Sequence, residues 1–185
     1  RHVLSVSYVY LIPKLMKGAP SAIRYIINGW QTSGLLQRRT GDPLTIASNS
    51  SNASGSGQTR DRAVLVGNPY GGNACAGLTT PCRSYLNPAS FQNNAAGTYG
   101  NIAKGSIVGP AYVDWDVSLA KNFEFEKRVD LQFRAEYFNL LNHTNLGDPG
   151  TTNSSSVGRI TGTTPQNGAN ANDPRIAQLS LKLIF

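Results

Sequence analysis

Over much of the chain, apolar and polar residues alternate with a period of two, the pattern of a strand with one face toward an apolar phase and the other toward water. In the ending, IAQLSLKLIF, the residues Leu179, Leu181, Leu183 and Phe185 form one set, and Gln178, Ser180 and Lys182 fall in the other. Near the start, over residues 2–12, Leu4, Val6, Tyr8 and Tyr10 oppose Ser5 and Ser7. A second extended run, 26–40, sets Trp30, Thr32, Gly34 and Leu36 against Gln31, Ser33 and Gln37. The stretch joining the two, PKLMKGAPSAIRY, has room for a short helical turn. The strongest signal is a hairpin. Over 111–124, Val113, Trp115, Val117 and Leu119 face one way and Asp114, Asp116 and Ser118 the other. After a reversal near Glu124 to Lys127, the strand 127–140 alternates Val129, Leu131, Phe133, Ala135 and Tyr137 with Asp130, Gln132, Arg134 and Glu136. The ending supplies a fifth strand, 175–185.

Between the strands lie two long polar stretches, 41–110 and 142–174, dominated by Ser, Asn, Gly, Thr and Pro. Such composition predicts irregular loops, with one or two short strands around Leu44 to Ala47. Connections that alternate between short and long are the mark of an outer-membrane barrel, with compact periplasmic turns and extended extracellular loops. The strands are also long enough, since a tilted membrane strand needs roughly 9–11 residues. No charged residue is expected on the apolar face of the last three strands, where a midplane Arg or Lys costs roughly 2–4 kcal/mol. Asp114, Asp116, Asp130, Arg134, Glu136 and Lys182 fall on the opposite, lumen-facing side. The same alternation would serve a soluble sandwich with the apolar face as its core. Aromatic residues favour the membrane: Phe185, Tyr8, Tyr10, Trp30, Phe123 and Phe125 fall near one end of the strands, and Tyr112, Trp115 and Tyr137 near the other, giving two girdles.

Composition trims the alternatives. The 185 residues are 39% hydrophobic and hold no run approaching the roughly 18 apolar residues of a membrane helix, which excludes a helical membrane protein. The net charge of +7 is spread singly or in pairs, as at Arg38–Arg39, and forms no stripe for nucleic acid. Cys75 and Cys82, in a Gly-, Pro- and Asn-rich segment without a nearby His, suit a small disulfide-closed loop in an oxidising compartment better than a metal site. The chain begins at Arg1 with no Met and no leader, which reads as a mature piece or a fragment.

The stretches GWQTSGLLQRRTGDPLT, VDWDVSLAKNF, RVDLQFRAEYFNLLNHTNLGDPG, VGRITGT and DPRIAQLSLKLIF together resemble the C-terminal end of TonB-dependent outer-membrane receptors. The nearest group is Oar-like, with a carboxypeptidase-regulatory-like domain at the N-terminus. The resemblance covers nearly the whole chain and implies that Leu179, Leu181, Leu183 and Phe185 are the signal read by the barrel-assembly machinery. It also implies energy-coupled uptake of a ligand, with a TonB-type coupler acting on a plug. No plug, TonB-contacting segment or leader occurs in these residues, and five strands cannot close a barrel whose relatives use about 22. The expectation is a fragment whose two edges pair with missing strands.

Enzyme chemistry has weaker support. Asp114 and Asp116 form a carboxylate pair on one face, but nearby cations such as Arg134 give them a structural use. His143 lies at a strand-to-loop junction and His2 is remote in sequence, so neither sits in a metal set or triad. No Ser occupies a nucleophile elbow, and GNPYGGNACAG lacks the Lys and strand-to-helix setting of a phosphate loop. NAS at Asn52 and NSS at Asn153 match the glycosylation pattern, which arises by chance in Ser-rich loops. The expected protein is therefore all-β and not an enzyme, takes no cofactor, and resides in the bacterial outer membrane. It is the C-terminal part of a transmembrane β-barrel with long irregular extracellular loops. Its expected partners are outer-membrane lipid, the assembly machinery, the TonB-type coupler and a transported ligand that the sequence does not specify. A secreted β-sandwich binding or adhesion module is the alternative, and a passive porin-like channel a third reading.

Overall fold

The computed structural model describes residues 2–13, 18, 20–125, 129–164 and 174–184. In chain order these form β1 (Val3–Leu11), α1 (Ser21–Ile27), β2 (Trp30–Arg39), β3 (Pro43–Leu44), β4 (Val64–Leu65), β5 (Arg83–Ser84), β6 (Phe91–Gln92), β7 (Ile107–Val108), β8 (Tyr112–Phe125), β9 (Val129–Phe138), β10 (Arg159–Ile160) and β11 (Ile176–Ile184). They divide into two compact units. A wall unit comprises Val3–Arg39, Val113–Thr144 and Pro174–Phe185, and a loop unit comprises Arg1–His2, Thr40–Tyr112 and Asn145–Asp173.

The wall unit is one sheet in the order β1-β2-β8-β9-β11, so strands adjacent in space follow one another along the chain. β1 pairs antiparallel with β2, β8 with β9, and β9 with β11. A side chain at Gly34 would strike the Asp116 carbonyl, while the Lys121 ammonium lies 5.6 Å from the Trp30 ring, so β2 runs opposite to β8. The sheet is an up-and-down meander with β1 and β11 as its edges. Its strands hold 9, 10, 14, 10 and 9 residues, enough to cross a bilayer when tilted.

Directly opposed residues in an antiparallel pair project from the same face. Leu183, Leu181, Leu179 and Ala177 oppose Leu131, Phe133, Ala135 and Tyr137. These in turn oppose Phe123, Lys121, Leu119 and Val117. On the other face Gln178, Ser180 and Lys182 oppose Glu136, Arg134 and Gln132. The apolar face is open: Leu179 and Leu181 are each 68% exposed and Leu183 58%. Within the wall unit no second sheet covers it among the described residues, whereas a sandwich core lies between two sheets.

Three expectations change. The second strand starts at Trp30 rather than residue 26, because Ser21–Ile27 is helical. The apolar face is not free of charge, since Lys121 follows Leu119 on it and is buried to 3% exposure. Tyr112 does not join an outer girdle: it is buried, belongs to the loop unit, and falls on the Asp114 side of the two-residue period. The predicted reversal includes residues 126–128, which, like Phe185, lie outside the described residues.

Asn139 ends β9. Its φ of 48° turns the chain out of the sheet, a conformation Asn tolerates better than other non-Gly residues. Its amide N–H donates to Asp116 Oδ1 at 3.0 Å, its Nδ2 donates to the His143 carbonyl at 3.0 Å, and its Oδ1 accepts from the His143 N–H at 2.9 Å. The side chain has no exposed surface. Asn139→Ala is expected to cost about 1–3 kcal/mol, because it removes both side-chain bonds to the His143 backbone at a position with no exposed surface of its own. A lowered unfolding temperature of the detergent-held protein would register it; an unchanged one would mean the turn finds other bonds.

The loop unit is irregular along most of its length, as expected, and β3 falls where a short strand was expected. It contains three small antiparallel ladders, β3 with β7, β4 with β6, and β5 with β10. Beneath them lies a core of Leu44, Ile46, Ala63, Leu86, Phe91, Ile102, Ile107 and Val157. Ile46, Ala63 and Leu86 have no exposed surface, and burying an aliphatic side chain of Leu or Ile size contributes roughly 1.5–3 kcal/mol. Asparagine side chains stand in for strands. Asn101 bonds the Leu65 backbone twice, accepting from its N–H at 2.6 Å and donating to its carbonyl at 3.1 Å. Asn93 Oδ1 gathers Ser48 Oγ, the Asn49 N–H and Asn153 Nδ2, tying the two polar stretches together.

Candidate functional site

Two surfaces are candidates for contact with a solute, one in each unit. In the wall unit, the period-two pattern of β8, β9 and β11 puts Asp114, Asp116, Asp130, Arg134, Glu136 and Lys182 on the polar face. They do not converge on one point. Asp114 is buried, Asp116 serves the turn after β9, and Asp130 and Lys182 lie at the other end of their strands. Arg134 and Glu136 form an ion pair of 3.4 Å along one strand, exposed enough to be worth about 0–1 kcal/mol.

Around that pair the polar face is hollow. A concavity of about 410 Å³ is lined by Gln31, Ser33, Ser118, Asn122, Gln132 and Arg134 among others. Gln132 Nε2 donates to Asn122 Oδ1 at 3.0 Å across the β8–β9 ladder. Amides, hydroxyls and one ion pair offer water and polar solutes exchangeable hydrogen bonds. No group of three or more metal-ligating side chains occurs among the described residues, and His143 enters its turn through backbone atoms.

The loop unit presents an ordered surface. Cys75 and Cys82 are disulfide-bonded with Cα atoms 5.9 Å apart. The Cys75 N–H donates to Ser84 Oγ at 3.0 Å, and Arg159 Nε donates to the Ala74 carbonyl at 2.6 Å. The disulfide loop is thereby fastened to the β5–β10 ladder. Tyr70 and Tyr85 meet edge to face at 6.2 Å and clasp one residue: the Val108 N–H donates to the Tyr70 hydroxyl, and the Tyr85 hydroxyl donates to the Val108 carbonyl. Burial, helped by Tyr70 and Asp148, pushes the Tyr85 phenol above its ordinary value and keeps it a donor. Tyr99, 68% exposed, leaves an aromatic side chain free to meet a solute.

Asp61 closes another turn. Ser54 donates to its carboxylate from the backbone N–H at 2.9 Å and from the hydroxyl at 2.7 Å. These bonds, the backbone one foremost, hold the carboxyl below its ordinary value. The sign follows. A carboxylate whose folded pKa is depressed contributes fully above the unfolded value of about 3.9, and the contribution fades as pH falls toward the folded pKa. Amide exchange at Ser54 is expected to lose protection below about pH 4, and Asp61→Asn to abolish that dependence. Equal pH dependence in both proteins would remove Asp61 from the role.

Neither Asn93, Asn101 nor Asn139 was legible as a structural residue from the pattern. Lys121 was missed as well, although carrying the alternation two residues past Leu119 would have placed it on the apolar face. A family model described as Outer membrane beta barrel domain matches residues 1–178. No curated protein and no solved structure matches.

Proposed function

Because the chain belongs to the outer membrane beta barrel domain family and so resides in the bacterial outer membrane, we propose that it forms part of the wall of a TonB-dependent transporter. Its apolar face would meet lipid and its polar face the lumen. The ends of the sheet that carry 41–110 and 142–174 would face outward, and the shorter connections the periplasm. Lipid tolerates no open sheet edge, and bacterial barrels have at least 8 strands. β1 and β11 would therefore pair with further strands. The face of Leu179, Leu181, Leu183 and Phe185 would be presented to the barrel-assembly machinery. Energy would come from a TonB-type coupler acting on a plug.

The observation that carries the transport reading is the loop unit. Its buried core and asparagine-bonded turns hold extracellular residues in one arrangement, as a binding surface needs. Oar-like character rests on the resemblance alone.

The test compares wild-type cells with cells lacking the gene for uptake of nutrients present at limiting concentration. Uptake that requires the gene and stops when the proton-motive force is collapsed supports energy-coupled transport. Gene-dependent uptake that persists after collapse would make the protein a passive channel.

A further inference from the structure

The connection between β1 and β2 holds a helix with no evident work to do. α1 has seven residues, too few to persist unaided, and none of its residues is buried. Ile23, Tyr25 and Ile26 are 44%, 42% and 61% exposed, while Ser21, Arg24 and Asn28 form a polar stripe at helical spacing.

Lys121 holds this helix by its C-terminus. The ammonium donates to the Ile26 carbonyl at 2.8 Å, to the Asn28 carbonyl at 2.5 Å, and to the Tyr25 carbonyl. All three of its donors are thus used on backbone oxygens in the last turn of the helix and at the residue that follows it. Trp30 Nε1 adds a bond to the Ile26 carbonyl at 3.0 Å. The charge lies 4.7 Å from the Phe123 ring centre, 5.6 Å from Trp30 and 5.7 Å from Tyr25, within range of cation–π attraction. A cation at a helix C-terminus is further favoured by the helix dipole.

Position identifies what α1 meets. Tyr25 packs on Phe123 at 5.8 Å and Trp30 on Phe133 at 6.0 Å. Phe123 and Phe133 belong to the apolar face, which continues through Leu131 to Leu181 and Leu183. The helix therefore lies on the lipid side of the wall, at the end bearing the short connections, with its own apolar residues extending the same band. Aromatic rings, a basic residue and an amphipathic helix together suit the bilayer interface.

We propose that α1 is an interfacial anchor seated among the phospholipids of the inner leaflet, at the boundary of acyl chains and headgroups, and that Lys121 fastens it to the wall. The proposal rests on the reading that the short connections face the periplasm. Without the lysine, the helix end would lose three of its hydrogen bonds and the wall its grip on the anchor.

The test uses the full-length protein folded into phosphatidylcholine vesicles whose acyl chains carry bromine near the headgroup. A fluorophore is attached at Ile23→Cys, at Leu181→Cys, or at Gln132→Cys on the polar face; Cys75 and Cys82, being bonded to each other, do not compete for label. Quenching is expected at 23 and 181, each at least twofold above 132. Adding Lys121→Met is expected to reduce quenching at 23 by at least half and leave 181 unchanged. Quenching at 181 without quenching at 23 would overturn the anchor and keep the membrane wall. Quenching at neither would overturn the orientation of the wall itself. Undiminished quenching at 23 in the Lys121→Met protein would overturn the role of the lysine.

Discussion

Gly41→Ala is expected to unfold the loop unit while leaving the wall in the membrane. An added Cβ at position 41 would stand 1.7 Å from the Gly109 carbonyl oxygen and 2.3 Å from its carbon. Both obstacles are backbone, so no rotamer change gives relief. Gly109 has little room to move, because its own Cβ position is 2.8 Å from Asp148 Oδ1. The Gly109 N–H donates to the Asp42 carbonyl at 2.9 Å, and the β3–β7 ladder begins beside it, at Pro43 after Asp42 and Val108 before Gly109. Parting the crossing therefore breaks that bond first and then the ladder that carries Leu44 and Ile107 into the core. Overpacking a tight site costs typically about 1–3 kcal/mol, and a clash between two backbones belongs at the top of that range or beyond. The check is limited proteolysis on intact cells: loop cleavage should quicken at least tenfold in Gly41→Ala. Gly162→Ala, where an added Cβ meets nothing within 4 Å, should behave as wild type. Equal cleavage in all three proteins would mean that the crossing does not hold the unit together.

The second large effect separates the two faces of the wall. Leu181→Arg places a charge on the open apolar face, at a site 68% exposed and opposite Phe133, and should cost up to the roughly 2–4 kcal/mol of a midplane charge, less the nearer the site sits to the interface. Gln178→Arg, three residues away on the other face, meets Glu136 across the ladder and should be close to neutral. Folding of the full-length protein into pure phospholipid vesicles is the suitable assay, because no assembly factor is present and only the bilayer acts. Comparable yields for the two variants would sink the assignment of faces. Any extra loss of Leu181→Arg in living cells, beyond the vesicle result, would report reading of the terminal strand by the assembly machinery.

The strands were legible because each obeys one rule along its length. Leu179, Leu181 and Leu183 need only an apolar phase on one side and water on the other, and period two records that directly. The start of β2 was misplaced because Ile26 and Trp30 fit an extended alternation as well as they fit the helix end and the strand start they belong to. Lys121 broke the apolar set because its partners are carbonyls of a connection nearly a hundred residues earlier, which no local pattern encodes. In the loop unit the core is scattered: Ile46, Leu86, Ile102 and Val157 lie far apart in sequence, so no window shows periodicity. The bonds between segments come from Asn93 and Asn101, whose side chains mimic a strand edge, and Asn-rich composition ordinarily reads as disorder. The polar face was legible as a face, from Asp130, Arg134 and Glu136, but its pairing was not. Arg134 meets Glu136 on its own strand, which alternation cannot distinguish from a bond across the lumen.

The asparagine-bonded core of the loop unit also bears on the thermodynamics of capture. Loops that order only on contact lose about 0.5–1.5 kcal/mol for each long side chain they immobilise, and that loss appears as unfavourable entropy and a strongly negative heat-capacity change. Under the proposed transport reading, a solute docking on the loop unit would meet backbone already held by Asn93, Asn101 and the Cys75–Cys82 link. Its association should proceed in a single kinetic phase, with a heat-capacity change set by the area of contact rather than by the folding of the loops.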